Sequence, residues 1–187
     1  MLLAMLRHGD TAWSVEGRIQ GRSDPPLTDE AREQLRRFKL PNVCARMRVV
    51  TSPLARCVET AALLGAPHAD REPRLAEMSW GTWEGRRLAE LRAELGAQMS
   101  ANEARGWDFR PEGGESPREV LGRVRTWLAG LTEPTLAVTH RGVIRAVYAQ
   151  AAGWDMLGRA PAKLAWDAVH IFRLEANELA LESVNVR

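Results

Sequence analysis

The chain has 187 residues, 45% hydrophobic and 27% charged, the balance of a globular domain with one core and at most a small cap. Twenty-six Lys and Arg against 24 Asp and Glu leave a net charge of +2. With the two signs interspersed, nothing points to a nucleic-acid partner or a membrane patch. Cys44 and Cys57 are too few for a disulfide scaffold or a zinc site. The apolar run Met1–Leu6 is too short for a secretory segment, and no stretch approaches a membrane span. The expectation is a reduced, cytoplasmic protein.

Leu2–Leu6 reads as a short buried strand. Gly9, Gly17, Gly21, Pro25 and Pro26 make residues 9–26 a long loop, a length usually tied to function. Thr28 can cap a helix whose first turn carries Asp29 and Glu30, with Ala31, Leu35 and Phe38 facing inward. Arg48–Thr51 reads as a second strand. Ser52-Pro53 then predicts an N-cap followed by a first-turn proline, opening a helix to about Leu64. The Trp- and Gly-rich stretch Leu75–Glu84 is expected to loop into a helix near Arg87–Leu95. Residues 100–114 read as a surface insertion.

Ser116-Pro117-Arg118-Glu119 is a capping box. Val120, Leu121, Val124, Trp127, Leu128 and Leu131 follow it at helical spacing. Thr135–Thr139 is a third strand, ending at His140, and Val143–Ala152 is helical up to Gly153. Ala168–Leu174 and Leu179–Val184 alternate as a hairpin around Asn177. Strands alternating with helices predict an α/β fold: a three-layer α/β/α domain over residues 1–187, with a mostly parallel central sheet. An antiparallel edge strand and a small helical cap insertion at about 78–114 complete it.

In open α/β sheets, ligands bind beyond the carboxyl ends of the strands. His8 follows the first strand, Arg56 lies in the helix after the second, and His140 ends the third, so three elements deliver polar groups to one edge. A histidine between Arg7 and the flexible Gly9 suits attack on phosphorus, because imidazole is nucleophilic near neutrality without a metal. Guanidinium groups would hold the phosphate oxygens in a bidentate fork. Arg7, Arg56 and His140 are the candidate cations, His8 the candidate nucleophile and Glu77 the candidate acid, with Glu84, Glu72 and Asp10 as other nearby carboxylates. Burial should raise the Glu77 pKa towards the working range.

Residues 7–13 (Arg-His-Gly-Asp-Thr-Ala-Trp), Gly17-Arg18-Ile19-Gln20-Gly21 and Pro26-Leu27-Thr28 resemble the opening pattern of the histidine phosphatase superfamily, in the branch that contains phosphoglycerate mutase. Ser52–Ala61 is similar to its second motif, and Leu75-Ala76-Glu77 with Gly81–Gly85 resembles the proton-donor motif of its phosphatases. Gly113–Ser116 and Val138–Arg145 complete the order. The resemblance implies a phosphohistidine at His8, phosphate held by Arg7, Arg56 and His140, and Glu77 protonating the leaving alcohol of a small phosphorylated metabolite. It implies no metal and no organic cofactor. Ser14, Gln20, Gly21 and Arg141 are further candidates for contact with substrate.

Two positions depart from the family pattern. Ser14 stands where relatives usually carry asparagine, which shortens that donor. Arg141 stands where they carry glycine, which would be unfavourable if that backbone needed positive φ. Arg141, like Arg18 and Arg22, either reaches for a second anionic group or points to solvent. Of the seven tryptophans, Trp83 and Trp107 are candidates to border the pocket. The modest 78–114 region favours hydrolysis over mutase chemistry, which must exclude water under a broader lid. The alternatives are phosphoglycerate mutase and a weakened phosphate-binding module.

Overall fold

Leu2–Arg7 (β1) is buried along its interior, and Thr135–Thr139 (β4) is buried at every residue, the apolar runs of central strands covered on both faces. The computed structural model describes residues 1–175 and 178–187. Arg48–Thr51 (β2), Asp70–Arg71 (β3), Val169–Glu175 (β5) and Glu178–Val186 (β6) complete one sheet in the order β3-β2-β4-β1-β5-β6. β1, β2, β3 and β4 run parallel, β5 runs antiparallel to β1, and β6 runs antiparallel to β5. Asn177, the expected turn residue between β5 and β6, lies outside the described residues. Among the described residues no helix is long and apolar enough to cross a membrane.

Side chains of β1 alternate between faces with the period of two. Leu3 and Met5 pack in the larger core with Val120 and Val124 of Pro117–Leu128 (α6) and with Ile144 and Val147 of Arg141–Ala151 (α7). Ala4 and Leu6 face the opposite cluster with Cys44, beside Phe38 at the end of Asp29–Arg37 (α2). Cys57 and Ala61 of Ala55–Leu63 (α3) pack on Val138 on that same side. Helices therefore cover both faces, as a three-layer α/β/α fold requires. Thr28 caps α2 and Ser116 closes a capping box on α6, both as predicted from side chains able to take up orphan N–H groups.

Register sets the site. Arg7 pairs with Thr139 and Thr51 with Val138. The next amides continue the ladder, His8 N–H to Thr139 O at 3.0 Å and Ser52 N–H to Val138 O at 2.9 Å. His8, Ser52 and His140 thus leave the sheet at one level.

Three local expectations need correction. The helix after β2 begins at Ala55 rather than at Ser52 and Pro53, because the Ser52 hydroxyl lies 2.7 Å from His140 Nε2 and Asp24 takes up the helical amides of Ala55 and Arg56. The loop 9–26 contains one helical turn, Ala12–Val15 (α1), capped by Thr11. Arg141 already belongs to α7, two residues before the predicted start, with His140 as its extended N-cap. Between 78 and 114 the chain forms Leu88–Leu95 (α4), the helix expected near Arg87–Leu95, and Ala97–Glu103 (α5), around a cluster of Trp83, Leu91 and Met99. β3 has two exposed residues and no apolar signal, so its pairing was invisible in the sequence.

Candidate active site

Arg56 is fully buried and organises the strand ends. Its Nε donates to His8 Nε2 at 3.2 Å and one terminal nitrogen lies 3.2 Å from His140 Nδ1. The same guanidinium donates to the carbonyls of Gly21 and Ser23 at 2.9 and 2.7 Å, and to Asp24 at 3.0 Å. A guanidinium only donates, so the facing nitrogen of each imidazole is an acceptor. His8 Nδ1–H then donates to Gly9 O at 2.7 Å, and His140 Nε2–H to Ser52 Oγ at 2.7 Å. Both rings are therefore neutral in defined tautomers, with centroids 5.1 Å apart.

Electrostatics agree with that assignment. Burial, then the charges of Arg7 and Arg56, hold His8 well below the ordinary histidine pKa. Burial, then His8 and Arg56, do the same to His140. A nucleophilic imidazole must carry a free lone pair, and this environment keeps one available below neutrality. Cys57 Sγ sits 3.4 Å from His140 Nε2, but burial pushes its thiol up, which leaves it an unreactive packing group.

Glu77 is buried at the opposite wall. One carboxyl oxygen accepts from Met78 N–H at 2.8 Å and Gly142 N–H at 3.0 Å. Burial raises its pKa, and the two amide contacts oppose that rise. Gly142 has to be glycine, since a Cβ there would collide with Glu77 Oε1. Thr139 Oγ1 donates to Leu75 O at 2.8 Å and Arg123 donates to Glu77 O at 3.2 Å, which fixes the backbone that carries Glu77.

The remaining candidates divide. Arg7, His8, Ser14, Gln20, Gly21, Glu77 and Arg141 line one cleft of about 1570 Å³, and Arg56 and His140 lie beneath it. Ser14 is spent locally: its Oγ lies 2.9 Å from Asp10 Oδ1 and 3.0 Å from Thr11 O, and accepts from Thr11 N–H. Gln20 Oε1 accepts from Thr11 Oγ1 at 2.8 Å. Gly21 offers Arg56 its carbonyl from a φ of +56°, where a Cβ would strike Glu84. Arg141 sits in helical backbone, so the absence of glycine there causes no strain. Trp83 is buried behind the wall and Trp107 is not at the cleft; Trp80 and Trp166 border it instead.

Sequence reading missed four supporting residues. Asp24 satisfies the start of α3 and pairs with Arg56. Ser52 holds His140. Glu84 takes the amides of Arg22, Ser23 and Trp80. Arg123 braces Glu115 and the segment before Glu77. Ser52 and Glu84 fall within motifs singled out in the sequence, but the contacts they make had no local signal, and neither did Asp24 or Arg123.

The buried histidines make stability pH-dependent. Below the ordinary histidine value of 6.5 the unfolded chain binds protons that folded His8 and His140 refuse, so stability falls as pH falls. Glu77, whose folded pKa is raised, acts in the opposite direction but is one group against these two and His170, which burial also lowers. We expect the Tm to drop by several degrees, roughly 5 °C, between pH 7 and pH 5. A melting temperature that is flat or rising over that interval would show that the two rings are not held neutral.

Residues 3–187 match the family model described as histidine phosphatase superfamily (branch 1). The chain is 32% identical over 180 residues to a glucosyl-3-phosphoglycerate phosphatase of Mycolicibacterium vanbaalenii, covering 83% of this chain and 78% of that one. It is 31% identical over 188 residues to phosphoglycerate mutase-like protein 4 of Arabidopsis thaliana, covering 92% and 79%. A mycobacterial glucosyl-3-phosphoglycerate phosphatase solved with VO3 superimposes with a TM-score of 0.80 at 28% identity, covering 100% of this chain and 99% of that one. A crystal structure from Thermus thermophilus gives a TM-score of 0.78 at 30% identity, covering 100% of both chains. Motif order, strand-end geometry and these matches agree: the chain belongs to branch 1 of the histidine phosphatase superfamily.

Proposed function

We propose that the protein is a phosphoric monoester hydrolase that works through a phosphohistidine at His8 on a small phosphorylated metabolite. The observation that carries this reading is the buried Arg56 joining two neutral imidazoles at the ends of β1 and β4. When a phosphate dianion arrives, its oxygens take over the donors that Arg56 now gives to the rings, and Arg7 at the rim adds a further cation. His8 Nε2 attacks phosphorus in line as the ester P–O bond breaks, and the Glu77 proton passes to the leaving alkoxide. Water then attacks the phosphohistidine, its proton goes to the Glu77 carboxylate, and His8 is released with inorganic phosphate. Every group returns to its starting state.

His140 gives its Nε2–H to Ser52 and donates to no phosphate oxygen until it rotates or is protonated; as the neutral ring it orients Arg56, and once protonated it helps to hold the dianion. The mycobacterial relative was solved with VO3, and vanadate imitates a phosphoryl group in transfer, which supports a phosphoryl site in this fold. The relatives named for glucosyl-3-phosphoglycerate make sugar- and glycerate-type phosphates the first substrates to try. Phosphoglycerate mutase relatives keep one competing reading open. The purified protein should release phosphate steadily from p-nitrophenyl phosphate and from a panel of sugar phosphates. Interconversion of 3- and 2-phosphoglycerate without phosphate release would replace hydrolysis by mutase chemistry. Tight phosphate binding with no turnover would leave only a binding module.

A further inference from the structure

Seven arginines line the cleft. Five already hold a carboxylate: Arg7 with Asp10, Arg18 with Glu16, Arg37 with Glu33, Arg92 with Glu103 and Arg187 with Asp167, at 2.6 to 3.6 Å. Among the described residues, Arg141 and Arg145 have no carboxylate within 4.0 Å. Their guanidinium carbons lie instead over indole rings, Arg141 at 5.0 Å from the Trp166 centroid and Arg145 at 5.2 Å from that of Trp154. An aromatic face engages the plane of a guanidinium and leaves its N–H edge free to donate.

The two arginines are four residues apart on α7, hence one turn apart on one face. Like charges at that spacing are unfavourable without a counter-ion. Desolvation, then the charge of Arg7, lowers the Arg141 guanidinium from its ordinary value, and desolvation, then Arg141, does the same to Arg145. Both nevertheless stay charged, as guanidinium does in proteins. Arg141 also stands between His140 and Gly142, whose N–H holds the Glu77 carboxyl at 3.0 Å. The pair therefore flanks the side from which a leaving group would take its proton.

We infer that Arg141 and Arg145, backed by Trp166 and Trp154, form a second-anion subsite. The preferred substrate is then a phosphomonoester whose carbon skeleton also carries a carboxylate or a further phosphate. This inference rests on the hydrolase reading for its orientation, and its test separates the two by measuring binding without turnover.

In a His8→Ala background, calorimetry compares 6-phosphogluconate with the open-chain glucitol 6-phosphate, and fructose 1,6-bisphosphate with fructose 6-phosphate. Each pair differs by one anionic group. A charge-assisted contact predicts a preference of about tenfold or more for the doubly anionic member of at least one pair, and the pair that shows it identifies carboxylate or phosphate. In the Arg141→Gln/Arg145→Gln protein that preference falls to about twofold or less. If thermal melts show that the double variant does not fold, the two single variants decide, each reducing the preference. Equal affinities within both pairs, or a preference that survives the substitutions, overturns the subsite. A lost preference in variants of a protein that never releases phosphate would keep the subsite and sink the hydrolase reading.

Discussion

Replacing His8 by alanine is expected to lower kcat by on the order of 10⁴-fold or more, because a nucleophile that forms the covalent intermediate has no substitute. Water in the emptied space is a far weaker nucleophile than the imidazole that Arg56 and the Gly9 carbonyl now orient. The phosphate cradle has other members, so inorganic phosphate or vanadate should still bind to the variant, and a ligand at 100 times its Kd should still stabilise it by about 2.7 kcal/mol in a thermal melt. Binding without turnover is the expected pairing. A variant that keeps a tenth of the parent rate would remove His8 from the chemistry, whatever its position at the end of β1.

The second large effect is at Glu77. Glu77→Gln keeps the size and an amide oxygen that can still accept from Met78 and Gly142, and it removes the proton. For alkyl phosphates, whose leaving alkoxide needs that proton, kcat should fall by about 10² to 10⁴. For p-nitrophenyl phosphate the phenolate leaves unaided, so the first burst of colour should survive while later turnover slows, since water still lacks its base. The pH profile tests the same group. Burial keeps Glu77 protonated above the ordinary carboxyl value of 4.5, so the alkaline limb of kcat/KM belongs to Glu77 and should vanish in the variant. The acid limb belongs to His8 and falls below 6.5 because its pKa is depressed. Equal losses for both substrates would point to a structural role, and Glu72, Glu84 or Asp10 would return as donors.

Much of this arrangement was legible because local signals and the global fold agreed. β4 was readable to the residue since a fully buried parallel strand is an uninterrupted apolar run. α6 announced itself through the Ser116 box. His8, Arg56 and His140 were found by a topological argument that needs only strands, helices and their ends.

What escaped depended on contacts between distant segments. Ser52 looked like an N-cap because its neighbour is proline, yet its hydroxyl is engaged by His140, 88 positions away. Asp24 then performs the capping from a loop 31 residues upstream. Ser14 looked like a shortened phosphate donor, but its hydroxyl closes the turn at Thr11. Arg141 looked strained only while its backbone was undetermined. The role of Arg123 beneath Glu77 has no sequence signature at all, since it follows from how α6 packs against the segment before the acid.

The proposed chemistry stands on a covalent intermediate, and the way to see one is rapid quenching of the working enzyme with a ³²P-labelled substrate, followed by peptide mapping. The expected label is lost in acid, survives base and maps to the peptide bearing His8, formed and lost at rates no slower than kcat. Steady release of phosphate with no labelled protein at any quench time, or a label on another residue, would contradict it.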